Sequence, residues 1–293
     1  MIRRQGVLLA LSFSVFVASA ACSGEVATSD SRSPSEAPPP TLSGDSLTYI
    51  ALGDSLSAGF GASRPSETSF VPLVLENLGD DYQLINLGHG GDTSADLMDH
   101  GHLDAAIETI EERTGDGIED NEVALVTLEI GGNDLLGLYF GVVLTGVCPD
   151  VTVALAKEEC TEALAATFAE FDANLSEALD RLLEVDPSLT LLLMTLYDPF
   201  SGLLRTFSEI AVLALEGVPD SEFPGGLNDI IREQAEQRGI PVAEVYEPFQ
   251  DRASELISGD LIHPNDAGYR VMADAVIATL DGLRTGSPRR YAP

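Results

Sequence analysis

From Leu47 onward, short apolar runs recur along the chain: Leu47–Leu52, Tyr82–Leu87, Glu122–Ile130, Leu189–Leu196 and Ile240–Tyr246. Each has the length of a strand. Several are almost unbroken by polar residues, the pattern of strands buried on both faces of a parallel sheet. The segments between them change period. Leu164, Phe168, Phe171, Leu175, Leu179 and Leu182 are three or four apart and line one stripe of a helix, and Met272, Val276, Ile277 and Leu280 repeat the pattern near the C-terminus. Gly79, Gly239 and Pro241 mark the joins. Five strands alternating with helices predict an α/β three-layer sandwich, a five-stranded parallel sheet with helices on both faces. No internal repeat breaks residues 47–284 into smaller units, and 285–293 reads as a short polar tail. In such folds ligands bind beyond the carboxyl ends of the strands, so motifs with chemistry should follow the apolar runs directly.

The N-terminus has a different texture. Arg3 and Arg4 precede an apolar stretch from Gly6 to Ala20, too short and serine-containing for a membrane span, and small residues follow it. Residues 1–21 therefore read as an export signal. Ala18-Ser19-Ala20 fits one cleavage site. Ser19-Ala20-Ala21-Cys22 resembles a bacterial lipobox that would leave Cys22 as a lipidated first residue, with Ser19 where an aliphatic residue is usual. Residues 22–46 are Ser/Pro-rich with little to bury, as a tether between anchor and domain would be. Three cysteines then become an anchor plus a pair, Cys148 and Cys160, in an oxidising compartment. The alternatives are a lipoprotein and a freely secreted protein.

Charge narrows the partners. The 293 residues carry 48 acidic against 15 basic side chains, a formal net charge of -33. That surface repels phosphate backbones and anionic headgroups, so nucleic acid is excluded as a partner and the membrane is reached only through the N-terminal anchor. Lys157 is the single lysine. Heavy carboxylate loading with scarce lysine fits a salt-rich habitat, and a codon bias towards arginine fits equally well. A monomer is expected.

Four short blocks fall just after the apolar runs. Gly53-Asp54-Ser55-Leu56 follows the first; alone it is an ordinary turn and helix cap. Asn86-Leu87-Gly88-His89-Gly90-Gly91-Asp92-Thr93 follows the second, and its glycines allow backbone N–H groups to approach a ligand. Gly131-Gly132-Asn133-Asp134 follows the third and offers a side-chain amide. Asp260-Leu261-Ile262-His263-Pro264 places a carboxylate three residues before an imidazole, close enough to orient it through Nδ1 and leave Nε2 as a base. Each block singly is weak; together, in this order, they form a set.

That set, GDSL at 53–56, GGDT at 90–93, GGND at 131–134 and DLIHP at 260–264, resembles the four blocks of the SGNH (GDSL) hydrolase superfamily, and in particular its bacterial lysophospholipase/thioesterase-like esterases. The resemblance implies a flavodoxin-like sandwich and hydrolysis of carboxylic esters or thioesters. It implies Ser55 as nucleophile, His263 as general base and Asp260 as its orienting partner, with an oxyanion hole formed by the Ser55 and Gly91 amides and the Asn133 side chain. No metal or organic cofactor enters that scheme.

The apolar stretch after the third block predicts an acyl pocket lined by Leu135, Leu138 and Phe140, whereas the Phe200–Leu215 segment reads as core packing. His100 and His102, without an evident third ligand, read as an exposed helical pair rather than a metal site, and His89 as a solvated loop residue. Asp54 is expected to serve the turn. The expected substrate is a small-molecule or lipid ester. Alternatives are a deacetylase or acyltransferase acting on acetylated carbohydrate, or a non-catalytic surface lipoprotein.

Overall fold

The computed structural model describes residues 46–114, 118 and 121–286. The export signal, Cys22 and the Ser/Pro-rich segment up to residue 45 lie outside them. The five apolar runs form five strands: β1 (Leu47–Gly53), β2 (Tyr82–Asn86), β3 (Val123–Glu129), β4 (Leu191–Met194) and β5 (Val242–Ala243). All neighbours are parallel, in the order β2-β1-β3-β4-β5. The chain therefore winds one way from β1 to β2 and the other way from β3 onward. The reversal opens a crevice at the carboxyl ends of β1 and β3, where ligands bind in such sheets.

Alternate strand residues feed two cores. Ile50, Leu52, Val126, Leu128, Leu191 and Leu193 pack on the helices His102–Arg113, Glu158–Val185 and Leu227–Arg238. Tyr49, Ala51, Leu125, Leu192, Met194 and Ala243 pack on Phe70–Leu78 and Asp266–Gly286. This is the predicted sandwich, with both faces of the sheet covered. The stripe Leu164, Phe171, Leu175, Leu179 and Leu182 is buried as its spacing requires. A third, smaller cluster gathers Leu164, Leu213 and Phe223 around a disulfide between Cys148 and Cys160.

Two elements are shorter than their apolar runs. At β5 the ladder stops after two residues, because the Thr195 hydroxyl accepts the Val245 and Tyr246 amides and turns the chain into Tyr246–Phe249. At the opposite edge, β2 is only half buried, since an outer strand lacks a neighbour on one side. The C-terminal helix runs through Gly286, two residues beyond the expected domain end.

Candidate active site

The chain leaves β1 through Gly53, which has φ +143° and pairs with Glu129 of β3. A Cβ there would lie 2.1 Å from the Glu129 carbonyl oxygen, so only glycine fits. Asp54 follows, and its Oδ1 accepts the Leu56 amide at 2.9 Å, capping the single turn Ser55–Ala58. The cap sets Ser55 at the first helical position above the sheet.

The partner loop is made locally. Leu261 adopts φ +66°, a conformation that costs a non-glycine residue about 1–3 kcal/mol. That turn brings the Ile262 and His263 amides to Asp260 Oδ1, both at 2.9 Å, beside the Ser258 hydroxyl at 2.8 Å. Asp260 Oδ2 faces His263 Nδ1 at 2.7 Å, and His263 Nε2 lies 2.8 Å from Ser55 Oγ. Partial burial alone would raise the Asp260 pKa; the donated hydrogen bonds outweigh it and hold the carboxylate at about 2. The Tyr197 hydroxyl donates to the Ile262 carbonyl at 2.8 Å, and its ring stacks on Phe249. Tyr197 thus steadies the histidine loop from beneath, a contact between distant segments that no local pattern announces.

Asn133 opens the helix Gly132–Leu138 after β3. Its Nδ2 donates to the Asp92 carbonyl at 2.8 Å and to Asp54 Oδ2 at 3.1 Å, which ties together the loops that follow β1, β2 and β3. Gly91 precedes Asp92 with φ +93° and open space around it. The amide of Asn133 is therefore already engaged on both sides. The longer bond, to Asp54, is the one it can share with a substrate oxygen.

Asp54 does more than cap the turn. It is buried beside Glu129, which is fully buried and shares a side-chain hydrogen bond with it. Burial, reinforced by the Asp54 carboxylate, pushes Glu129 well above the usual carboxyl range. Burial also raises Asp54, against the opposing Leu56 amide, to about 6. Above the pKa values of the unfolded chain the folded state thus holds more protons than the unfolded one. Stability then falls as pH rises, by up to about 1.4 kcal/mol per pH unit for each retained proton, and the Asp54 share is spent by about pH 6. Glu129→Gln removes the Glu129 share. In urea unfolding at pH 5 and pH 8, the variant should gain on the parent chiefly at pH 8. An equal offset at both values would mean that Glu129 ionises normally.

Beside Ser55 and His263 opens a cavity of about 120 Å³ with an almost wholly apolar wall. Leu135 and Leu138 line it as expected, but Phe140 does not; it is 57% exposed and meets Tyr139 edge-on. The α-helix ends at Leu138, and Phe140 lies in the π-helical turn Tyr139–Val143, whose Tyr139 and Val143 line the cavity instead. The segment from Phe200 to Leu215 also departs from the core-only reading, since Phe200, Phe207, Ile210 and Ala211 form the opposite wall. Only the packing of the helix Arg205–Glu216 across the crevice reveals this. Nor are His100 and His102 an isolated pair, because they converge with His89 on the buried carboxylate of Asp92.

Residues 51–271 match the model of the GDSL-like lipase/acylhydrolase family. The chain is 23% identical over 248 residues to the spore germination lipase LipC of Bacillus licheniformis, covering 82% of this chain and 99% of that protein. Its fold is similar to the lipase Lip_vut3 from a goat rumen metagenome (TM-score 0.60, 22% identity, 80% of this chain and 97% of that one). It is also similar to the extracellular lipase of Streptomyces rimosus (TM-score 0.55, 18% identity, 80% and 100%). The family match spans every block from β1 to the histidine loop, and the chain belongs to the GDSL-like lipase/acylhydrolase family, as a carboxylic ester hydrolase of the serine type.

Proposed function

We propose that Ser55, His263 and Asp260 hydrolyse acyl esters with an apolar chain, the chain lying in the cavity beside Ser55. His263 Nε2 takes the hydroxyl proton as Ser55 Oγ bonds the carbonyl carbon, and the carbonyl electrons move onto oxygen. The Ser55 and Gly91 amides and the shared Asn133 side chain meet that oxyanion, and Asp260 stabilises the imidazolium. Collapse breaks the ester bond, and His263 returns the proton to the departing alcohol. Water, activated by the same ring, then releases the acid.

The observation that carries the substrate class is the apolar wall of the cavity. At roughly 30 Å³ of liquid volume per water, the cavity equals about four waters, more than an acetyl group fills. It presents no polar set suited to a sugar, which favours lipid-type esters over acetylated carbohydrate. A chain-length series of nitrophenyl esters tests this, with preference for medium over acetyl chains expected. Ala211→Phe should shift that preference towards short chains by about tenfold or more in kcat/KM, since each excluded methylene forgoes roughly 0.8 kcal/mol. Equal loss on acetyl and longer esters would argue for core damage instead.

The charged start at Arg3 and Arg4 and the apolar stretch Gly6 to Ala20 support export of this enzyme, either anchored through Cys22 or secreted. The Cys148–Cys160 disulfide supports export, because such bonds persist in oxidising compartments. Mass spectrometry of the mature N-terminus distinguishes the two forms.

A further inference from the structure

The loop after β2 and the turn between the helices Ser94–Asp99 and His102–Arg113 bring three of the four histidines of the chain onto one carboxylate. His89 Nδ1 and His100 Nδ1 lie 2.7 and 3.0 Å from Asp92 Oδ1, and His102 Nε2 lies 3.6 Å from Asp92 Oδ2. His100 Nε2 also approaches Asp96 Oδ1 at 3.5 Å. Gly101, with φ +81°, makes the turn that lets His100 and His102 face the same point.

One potential ligand atom from each of His89, Asp92, His100 and His102 lies within 4.8 Å of the others. Around a tetrahedral ion with bonds of about 2.0–2.1 Å, ligand atoms stand roughly 3.4 Å apart, so small side-chain rotations close the set. A hydrogen-bonded carboxylate alone accounts poorly for the arrangement. The Asp92 side chain is only 2% exposed, and its Oδ2 is buried without a hydrogen-bond partner. A buried acceptor left in this state calls for a counterpart, and a cation between Oδ2 and the three rings supplies it.

We propose that His89, Asp92, His100 and His102 bind one divalent transition-metal ion of the Zn²⁺ type, and that the ion braces the oxyanion loop. Three imidazoles and one carboxylate suit Zn²⁺, Co²⁺ or Ni²⁺ rather than Ca²⁺ or Mg²⁺, which take oxygen ligands. Four protein ligands close the coordination shell, the mark of a structural rather than a catalytic ion. None of the four lines the substrate cavity. His89 and His100 are half exposed, so an ion can enter from solvent. The bracing follows from Asp92 itself. Its side chain is the ligand, its carbonyl accepts Asn133 Nδ2, and Gly91 precedes it. Only this bracing rests on the proposed oxyanion roles of Gly91 and Asn133; ion binding does not.

The test is a titration of the chelator-treated full chain with Co²⁺, read by its visible absorption. One equivalent should give the bands of a four-coordinate ion, and Zn²⁺ should bleach them. Excess Zn²⁺ should raise the Tm by at least ~3 °C. Ser55→Ala should bind as well as the parent, whereas the double variant His100→Gln/His102→Gln should bind more than about 100-fold more weakly, beyond the loss of an outer-sphere partner. No Co²⁺ band with an unchanged Tm overturns the site, as does binding that survives the double variant. On a nitrophenyl ester, loading should raise kcat with little change in KM. A kcat indifferent to loading overturns the bracing, while the colour titration still decides the site.

Discussion

Ser55→Ala should lower kcat by at least about 10⁴-fold while leaving the urea midpoint within about 0.5 kcal/mol of the parent. The substitution removes one oxygen from the top of a short helical turn and disturbs neither the Asp54 cap nor the sheet. His263→Ala should cost as much, because without the ring at 2.8 Å nothing accepts the hydroxyl proton in the transition state. The double variant should be hardly slower than either single one, since residues that act as a unit lose their effect together. A fluorophosphonate should label the parent at Ser55 and leave Ser55→Ala unlabelled. Asp260 should stay ionised down to about pH 2, so any loss of activity above that pH should not come from its protonation. Substantial turnover in Ser55→Ala would remove the acyl-enzyme route and leave the nearby His263 without a role.

Among the described glycines, Gly53→Ala should be the most damaging added methyl, at a cost of about 3–5 kcal/mol. The added Cβ meets backbone, the Glu129 carbonyl at 2.1 Å, and also the Ser57 hydroxyl at 2.6 Å. Neither the φ of +143° nor the β1–β3 pairing can relax without moving the other. Any relief must shift Asp54 and Ser55, so kcat should fall even in the fraction that folds. Urea unfolding and active-site titration with the fluorophosphonate separate the two losses. A stability loss under about 1 kcal/mol would show that the strand ends are looser than this close contact implies.

The meeting of Ser55, His263 and Asp260 was legible because each partner sits at a boundary with a local signature. Ser55 follows an apolar run, and Asp260 and His263 share one short loop. The Gln, Glu and Arg side chains on the helix surfaces had no comparable reading, since exposure leaves them free to face any neighbour. The pocket was half legible. Leu135 and Leu138 belong to the helix that leaves the site, but Phe140 lies in the π-helical turn that follows it and faces outward, and Phe207 and Ile210 reach the cavity from a helix some seventy residues later. The convergence of His89, His100 and His102 on Asp92 was not legible, for a related reason. His100 and His102 stand one residue apart, yet their third and fourth partners come from a loop beyond another helix.

Unbroken apolar runs and helical spacing were enough for the strands, the two-faced cores and the order of the motifs, because those depend on near neighbours and on the period of each element. Distances between elements were not available from it. The 2.8 Å from His263 to Ser55 and the burial that raises the Glu129 pKa beside Asp54 arise only when the sheet reverses direction at β1 and β3 and brings separate loops to one edge. Through-space electrostatics and packing act there between residues that the chain keeps far apart.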